Sequence, residues 1–273
     1  MGFFTHDIVK NISIGSNVKT ANNSMYNAFY QCKGLNSPIN IPNGVTNMSQ
    51  TFYCCYNFNQ PVNIPNGVTN MYQTFGFCYN FNQPVNIPDS VTMLSSMFYS
   101  CANFNQPVNI PNGVTSVYQT FYGCEKFNQP VNIPDSVTEC ALCFNGCSAF
   151  NYPINQTLNM TLAHNCFRNC FNFNQPVTFC AKVTNMWQTF ANCYNMCQNI
   201  TVLSGNVTIC KNMLYGHNNS KRINVFVPAG STTNTTFACT NANSLVGATI
   251  SWTTDTTNNC RYNTTRNIYV YWQ

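Results

Sequence analysis

Acid–base side chains are scarce in this chain, which has six carboxylates and three histidines among 273 residues. Asp89 and Asp135 stand in Pro-Asp-Ser triplets, which are typical of turns. Neither Asp7 nor Glu139 is placed beside a second carboxylate with which it could share general acid–base catalysis. No glycine-rich phosphate loop, nucleophile elbow or His-Glu-x-x-His motif occurs. The sequence therefore predicts no enzymatic activity and no cofactor.

The seventeen cysteines could form a disulfide scaffold or remain thiols. Eight of them recur every 23 residues, as a small apolar core residue of a repeat would. Parallel Cβ vectors on neighbouring coils suit a disulfide poorly. We expect buried, mostly unpaired thiols at these ladder positions, which are Cys32, Cys55, Cys78, Cys101, Cys124, Cys147, Cys170 and Cys193.

One group of cysteines departs from this pattern. Cys143 and Cys166 lie one period apart at a position that is threonine in other units, as at Thr74. His164 is close to Cys166 in sequence, and Cys140 adds a further sulfur. Zinc needs four ligands in tetrahedral reach, and these spacings match no zinc finger. We expect no metal, with Cys143, Cys166 and His164 as the weak candidates if one is present.

Asparagine recurs at two positions of the same period. The asparagine of each Phe-Asn-Gln triplet is expected to bond turn backbone inside the stack, at Asn59, Asn82, Asn105, Asn128, Asn151 and Asn174. The other asparagine lies between two apolar residues, as in Val62-Asn63-Ile64, and must face away from them. This row predicts an exposed uncharged stripe that binds a ligand, or alternatively a solvated ladder whose amides bond only each other, at Asn40, Asn63, Asn86, Asn109, Asn132 and Asn155.

All these positions share one frame, because the chain repeats a 23-residue unit about eight times. In each unit, apolar–polar alternation predicts a short strand, which prolines limit to a few residues. Pro-Asn-Gly follows as a turn, and spacings of three and four among Val68, Met71 and Phe75 predict a short helical segment. Each coil can cover its apolar side only by stacking on a neighbour. The predicted fold is an α/β repeat solenoid with one short parallel strand per coil.

The unit resembles leucine-rich repeats of the BspA type, in which an apolar strand with Ile-Pro precedes Val-x-x-Met and a Thr-Phe followed by Cys. Phe-Asn-Gln-Pro also resembles the related repeat of bacterial surface lipoproteins and the FNIP repeats of amoebae and large viruses. The resemblance covers about residues 24 to 228. It implies a solenoid lined by strands and, for many members, an adhesive or cell-surface role.

The two ends of the chain depart from the repeat. Residues 1–24 are expected to form an N-terminal cap, residues 25–228 the solenoid, and residues 229–273 a C-terminal cap or small β extension. In the last segment Ile250, Trp252, Ile268, Val270 and Trp272 alternate with polar residues, which favours strands.

Charged residues make up 6% of the chain, where about 25% is typical of soluble proteins. The formal net charge is +5, but the basic residues are scattered and form no basic stripe, which argues against nucleic acid as a partner. No apolar run is long enough to span a membrane, and the start of the chain lacks the pattern of a signal peptide.

These features favour a non-enzymatic binding or adhesion protein displayed on a virion or another extracellular surface. A phage capsid decoration or fibre that contacts host proteins or glycans is the leading hypothesis, with other virion proteins or further copies of the chain as partners. The alternatives are an intracellular interaction scaffold or effector and a bacterial cell-surface adhesin.

Overall fold

The computed structural model describes residues 21–154, 159–218, 220–228, 253–255, 260–263 and 268–272. The chain divides into two compact units, Met1–Val137 and Thr138–Gln273. Within each unit, coils of the repeat stack in register, and equivalent residues bond to one another about 23 positions apart. Most of the predicted N-terminal cap and Asn155 lie outside the described residues, so the predicted domain bounds stay predictions.

The strands are short and belong to two sheets. The first unit contributes a parallel pair, β1 (Val108–Asn109) and β2 (Val131–Asn132). The second unit contributes a six-stranded sheet in the order β3-β4-β5-β8-β7-β6. Its strands are β3 (Val177–Phe179), β4 (Ile200–Val202), β5 (Ile223–Val227), β6 (Thr253–Asp255), β7 (Cys260–Asn263) and β8 (Ile268–Trp272). β3, β4, β5 and β8 are parallel, while β7 runs antiparallel to both β8 and β6.

The predicted parallel pairing is confirmed, but the prediction of a strand in every unit is wrong for residues 62–64 and 85–87. Side chains still alternate between buried and exposed in the first of these segments, since Val62 and Ile64 are buried and Asn63 is exposed. Pro61 and Pro65 flank this segment and have no N–H to donate, which weakens a ladder here; equivalent prolines flank β1 and β2, which are only two residues long. The three-residue strand β4 forms where the sequence has no flanking proline.

The predicted helical segment is also wrong: at Val68, Met71 and Phe75 the chain forms a series of tight turns. The N–H of Cys78 bonds to the carbonyl of Phe75 at 3.0 Å within the coil, whereas the N–H of Phe75 bonds to Met97 of the next coil at 2.9 Å. Donors thus alternate between their own coil and the neighbouring one. A helix this short is marginal alone, and the turn series gives every second N–H a partner in the stack.

Several of these turns place a residue with positive φ at their third position, as type II turns require. Gln73 has φ 51° and Phe77 has φ 60°, and equivalent residues of the other described coils repeat the pattern. The apolar spacing of three and four is preserved, so Val68, Met71 and Phe75 still face the core with 0% exposure.

Two columns of phenylalanine fill the core of the first unit. One column stacks Phe52, Phe75 and Phe98, with ring centroids 5.5 to 5.9 Å apart. The second stacks Phe81 on Phe104 at 6.0 Å, and Phe75 contacts Phe81 across the columns at 4.3 Å. All these rings are completely buried. The second unit repeats the arrangement, with Phe144, Phe167 and Phe190 in one column and Phe150 and Phe173 in the other.

Candidate ligand-binding face

The asparagine stripe lies on the outer surface of the first unit. Its described members, Asn40, Asn63, Asn86, Asn109 and Asn132, are all exposed, which confirms the predicted orientation. Three of them line a shallow groove of about 600 Å³ with the rings of Pro38, Pro61 and Pro84 and with Ile39 and Val62. In the groove, a row of proline rings therefore runs along the stack beside a row of uncharged amides. Asn155 falls outside the described residues, so its predicted place in the stripe is untested.

Within the described part of the chain, no side-chain hydrogen bond holds the amides of this stripe. The alternative of a ladder whose amides bond one another is therefore not what the structure shows at Asn40 to Asn132. That alternative describes a different row, in which Asn80 donates to Asn57 at 3.2 Å and Asn103 donates to Asn80 at 3.3 Å. The stripe keeps both the donor and the acceptor of each amide available to a ligand.

The Phe-Asn-Gln asparagines bond to main-chain groups, as the sequence predicts, but the row is not internal, since its members are half-buried or, at Asn128 and Asn151, exposed. The Oδ1 atom of Asn82 accepts a bond from the backbone N–H of Asn105 at 2.8 Å and from Nε2 of Gln106 at 3.1 Å. Asn59 does the same for Asn82 and Gln83, at 2.9 and 3.2 Å. In the second unit, Asn151 accepts from Asn174 and Asn174 from Cys197. In each of these pairs the asparagine Oδ1 accepts from a backbone N–H of the next coil, so the row links successive coils.

The ladder cysteines are buried thiols, as predicted. Cys55, Cys78, Cys101 and Cys170 are unexposed and outside any disulfide in the described residues. The Sγ of Cys78 donates to the carbonyl of Phe52 at 3.0 Å, and that of Cys101 donates to Phe75 at 3.0 Å. Burial raises the pKa of Cys55 and Cys78 well above its usual value, so these groups stay protonated and unreactive at neutral pH.

Thiol titration tests this assignment. Denatured protein is expected to give nearly the same thiol count before and after reduction, because the ladder cysteines form no disulfides among the described residues. In the folded protein Cys197, which is exposed, should react quickly, while Cys78 and Cys101 should react only on unfolding. A count near zero before reduction would mean that the cysteines are joined in disulfides.

The predicted weak metal candidates lie in a buried sulfur cluster. The Sγ atoms of Cys140 and Cys166 are 3.2 Å apart, and Cys143 also hydrogen-bonds to Cys140. These two hydrogen bonds lower the pKa of Cys140 to about 5, against the effect of its burial. Burial lowers the pKa of His164, whose Nδ1 is buried without a hydrogen-bond partner. In the described part of the chain, no group of three or more His, Cys, Asp or Glu side chains could hold a metal ion.

Sequence reasoning missed an aromatic face at the C-terminal end of the second unit. Tyr269 and Tyr271 alternate along β8 with the buried Ile268 and Val270, and Phe226 stacks on Tyr271 with centroids 5.2 Å apart. The alternation of Ile268, Val270 and Trp272 predicts strands here, but attention to the intervening residues would have shown that they are aromatic.

The in-register coils and parallel strands place the protein in the class of leucine-rich-repeat-like solenoids. The chain belongs to the family described as "Mycoplasma protein of unknown function, DUF285", whose model matches residues 23–134 and 115–226. This confirms the leucine-rich-repeat part of the resemblance, whereas the likeness to FNIP repeats stays a prediction. No curated protein matches the chain.

A solved leucine-rich repeat protein from Bacteroides ovatus is similar, with a TM-score of 0.57 and 21% identity over 86% of this chain. The chain spans 63% of that protein's length. A leucine-rich cell surface protein from Faecalibacterium prausnitzii aligns with a TM-score of 0.38 and 16% identity, over 83% of this chain and 79% of that one. The first of these likenesses supports the fold. Among the described residues, no helix has the length and apolar character of a membrane span.

Proposed function

We propose that this chain is a non-enzymatic binding or adhesion protein whose asparagine stripe contacts a protein or glycan surface. The observation that carries the proposal is the row Asn40 to Asn132, which is exposed and has no side-chain hydrogen bonds of its own. Two other asparagine rows in the same unit are bonded within the stack. The stripe is therefore the row whose amides can recognise a partner.

The chemistry of the groove favours an uncharged, extended partner. The amides offer paired donors and acceptors to peptide groups or sugar hydroxyls, and the proline rings offer apolar area beside them. Charged residues are 6% of the chain, so neither nucleic acid nor a charged membrane surface is the partner that we propose. The scarcity of general acids and bases supports the absence of catalysis.

The place of display that we propose is an extracellular surface, and specifically a virion, where the chain would act as a capsid decoration or fibre. A surface rich in neutral amides suits contact with host proteins or glycans. Mass spectrometry of purified particles and of surface-shaved cells tests this assignment. Recovery of the chain only from cell interiors would instead favour the intracellular scaffold.

A graded series of stripe variants tests the binding role. Each direct hydrogen bond contributes about 0.5–1.5 kcal/mol net, so Asn86→Ala should weaken binding only a few-fold. Joint replacement of Asn63, Asn86, Asn109 and Asn132 by alanine should nearly abolish it, because successive coils present the same amide to one partner. The measurement is binding of each variant to a glycan array and to whole cells.

The matched control is joint replacement of Asn57, Asn80 and Asn103, which are exposed or half-exposed and whose side chains already bond one another. This control should bind like the unaltered protein. Normal binding by the fourfold stripe variant would place the functional face elsewhere on the molecule.

A further inference from the structure

The C-terminal end of the second unit presents a second face with different chemistry. On β5 and β8, Ile223, Val225, Val227, Ile268 and Val270 are buried in the core. The residues between them turn to the opposite side of the sheet, where they are only partly covered. They place Asn224 beside Tyr269 and Phe226 beside Tyr271, in parallel register.

The aromatic rings of this face form a continuous group. Phe226 stacks on Tyr271 with centroids 5.2 Å apart, and Tyr269 stacks on Tyr262 of β7 at 5.4 Å. Tyr269 and Tyr271 are 6.4 Å apart along β8. On the β4 side, the residue paired with Phe226 is Thr201. The large ring of Phe226 therefore borders a much smaller side chain, which forms a step at the edge of the aromatic group.

Arg222 is fixed on this face by uncharged partners. Its guanidinium lies 3.8 Å from the ring centroid of Tyr269, its Nε donates to Oδ1 of Asn224 at 2.9 Å, and its Nη2 donates to the hydroxyl of Tyr271. In the part of the chain that the structure describes, no carboxylate forms an ion pair with this exposed arginine. Among the described residues, Nη1 and the second N–H of Nη2 have no acceptor and can donate to a ligand.

An arginine held in this way is preorganised to bind an anion. A planar guanidinium matches the two oxygens of a carboxylate, and little conformational entropy is lost when its position is already fixed. The preceding residue, Lys221, bonds through its Nζ to Asn195 and not to this face, so the positive charge of the face comes from Arg222. Aromatic rings beside the cation suit a ligand with apolar C–H surface, because the ring faces carry negative charge.

We propose that Arg222, Asn224, Phe226, Tyr269 and Tyr271 bind an acidic glycan. The carboxylate of one sugar lies on the open side of the Arg222 guanidinium, and the C–H face of that sugar or its neighbour packs at the step beside Phe226. Sugar hydroxyls complete the contact through Asn224 and Tyr271. This site does not depend on the asparagine stripe, whose described residues lie in the other compact unit and carry no charge.

The test compares two forms of one probe by isothermal titration calorimetry. Oligogalacturonate carries a carboxylate on every sugar, and its methyl ester has the same sugars without the charge. The full chain should bind oligogalacturonate at least about tenfold more tightly than the ester, as expected for a charge-assisted bidentate contact. Binding should weaken as salt is raised.

Arg222→Gln should lower affinity for oligogalacturonate to about that for the ester, whereas Lys221→Gln should change it less than about threefold because Lys221 lies outside the aromatic face. Arg222→Lys keeps the charge without the planar fork and should show an intermediate loss, which guards against failure of the glutamine variant to fold. Melting curves check that each variant is folded.

Equal binding of the two probes, unaltered binding by folded Arg222→Gln, or no binding of oligogalacturonate by the unaltered chain would each overturn the proposal. Tighter binding of a single-stranded oligonucleotide than of oligogalacturonate would overturn it as well, since the face would then recognise stacked bases. The asparagine-stripe variants leave the aromatic face intact and should bind oligogalacturonate normally. Failure of the stripe proposal on the glycan array or on whole cells is therefore distinguishable from failure of this one.

Discussion

Replacing Phe75 with alanine is expected to lower the free energy of unfolding by about 3–5 kcal/mol. The ring is completely buried and contacts Phe52, Phe81 and Phe98 with centroid distances of 5.5, 4.3 and 5.9 Å. Neighbouring coils are held by this column, so alanine leaves a cavity with rings above, below and beside it. Urea unfolding followed by circular dichroism measures the change.

Tyr72→Ala is the matched control for this prediction. Tyr72 lies in the same turn series but is 37% exposed, so its loss should cost much less than that of Phe75. If the two variants were equally stable, the phenylalanine columns would not be the core that joins the coils.

Replacing Asn82 with alanine is expected to cost about 1–3 kcal/mol, although the residue is only half-buried. The change removes the acceptor of the Asn105 N–H and of the Gln106 side chain together. Thermal unfolding monitored at a fixed protein concentration gives the comparison.

The variant Asn82→Asp distinguishes the role of the Oδ1 acceptor from that of the amide nitrogen. An aspartate keeps an oxygen where Oδ1 lies and should retain most of the stability at neutral pH, since both bonds to Asn82 arrive at that atom. Equal loss in the alanine and aspartate variants would show that the amide nitrogen, and not the oxygen, holds the coils together.

The period of the sequence was sufficient to predict which residues form the core and the two asparagine rows. A spacing of 23 residues places Cys78 above Cys55 and Asn82 above Asn59 whatever the backbone does between them. The structure accordingly confirms the burial of the cysteines, the backbone bond that Asn82 accepts from the next coil and the exposure of Asn86.

The backbone between those positions was less predictable. Spacings of three and four at Val68, Met71 and Phe75 fit a helical turn and a series of tight turns equally well, because both bring such residues to one side. The difference lies in whether a donor bonds to its own coil or to the next, which a single coil's sequence does not encode. The positive φ of Gln73 and Phe77 could not be predicted from the sequence either, since neither residue type favours that conformation.

The second binding face was missed for another reason. Tyr269 and Tyr271 lie outside the repeat, so no period marks them, and their partners Arg222 and Phe226 are about 45 residues away. Only the pairing of β5 with β8 brings these side chains together.

An asparagine stripe that takes no part in holding the fold is available to a partner. Thermal unfolding of the variant with Asn63, Asn86, Asn109 and Asn132 all changed to alanine measures whether the stripe is free in this sense. We expect these four changes together to cost less stability than Asn82→Ala alone, because none of the four side chains makes a hydrogen bond within the described chain. If the fourfold variant unfolds at a lower temperature than Asn82→Ala, the stripe is a structural part of the solenoid and not a surface kept free for a ligand.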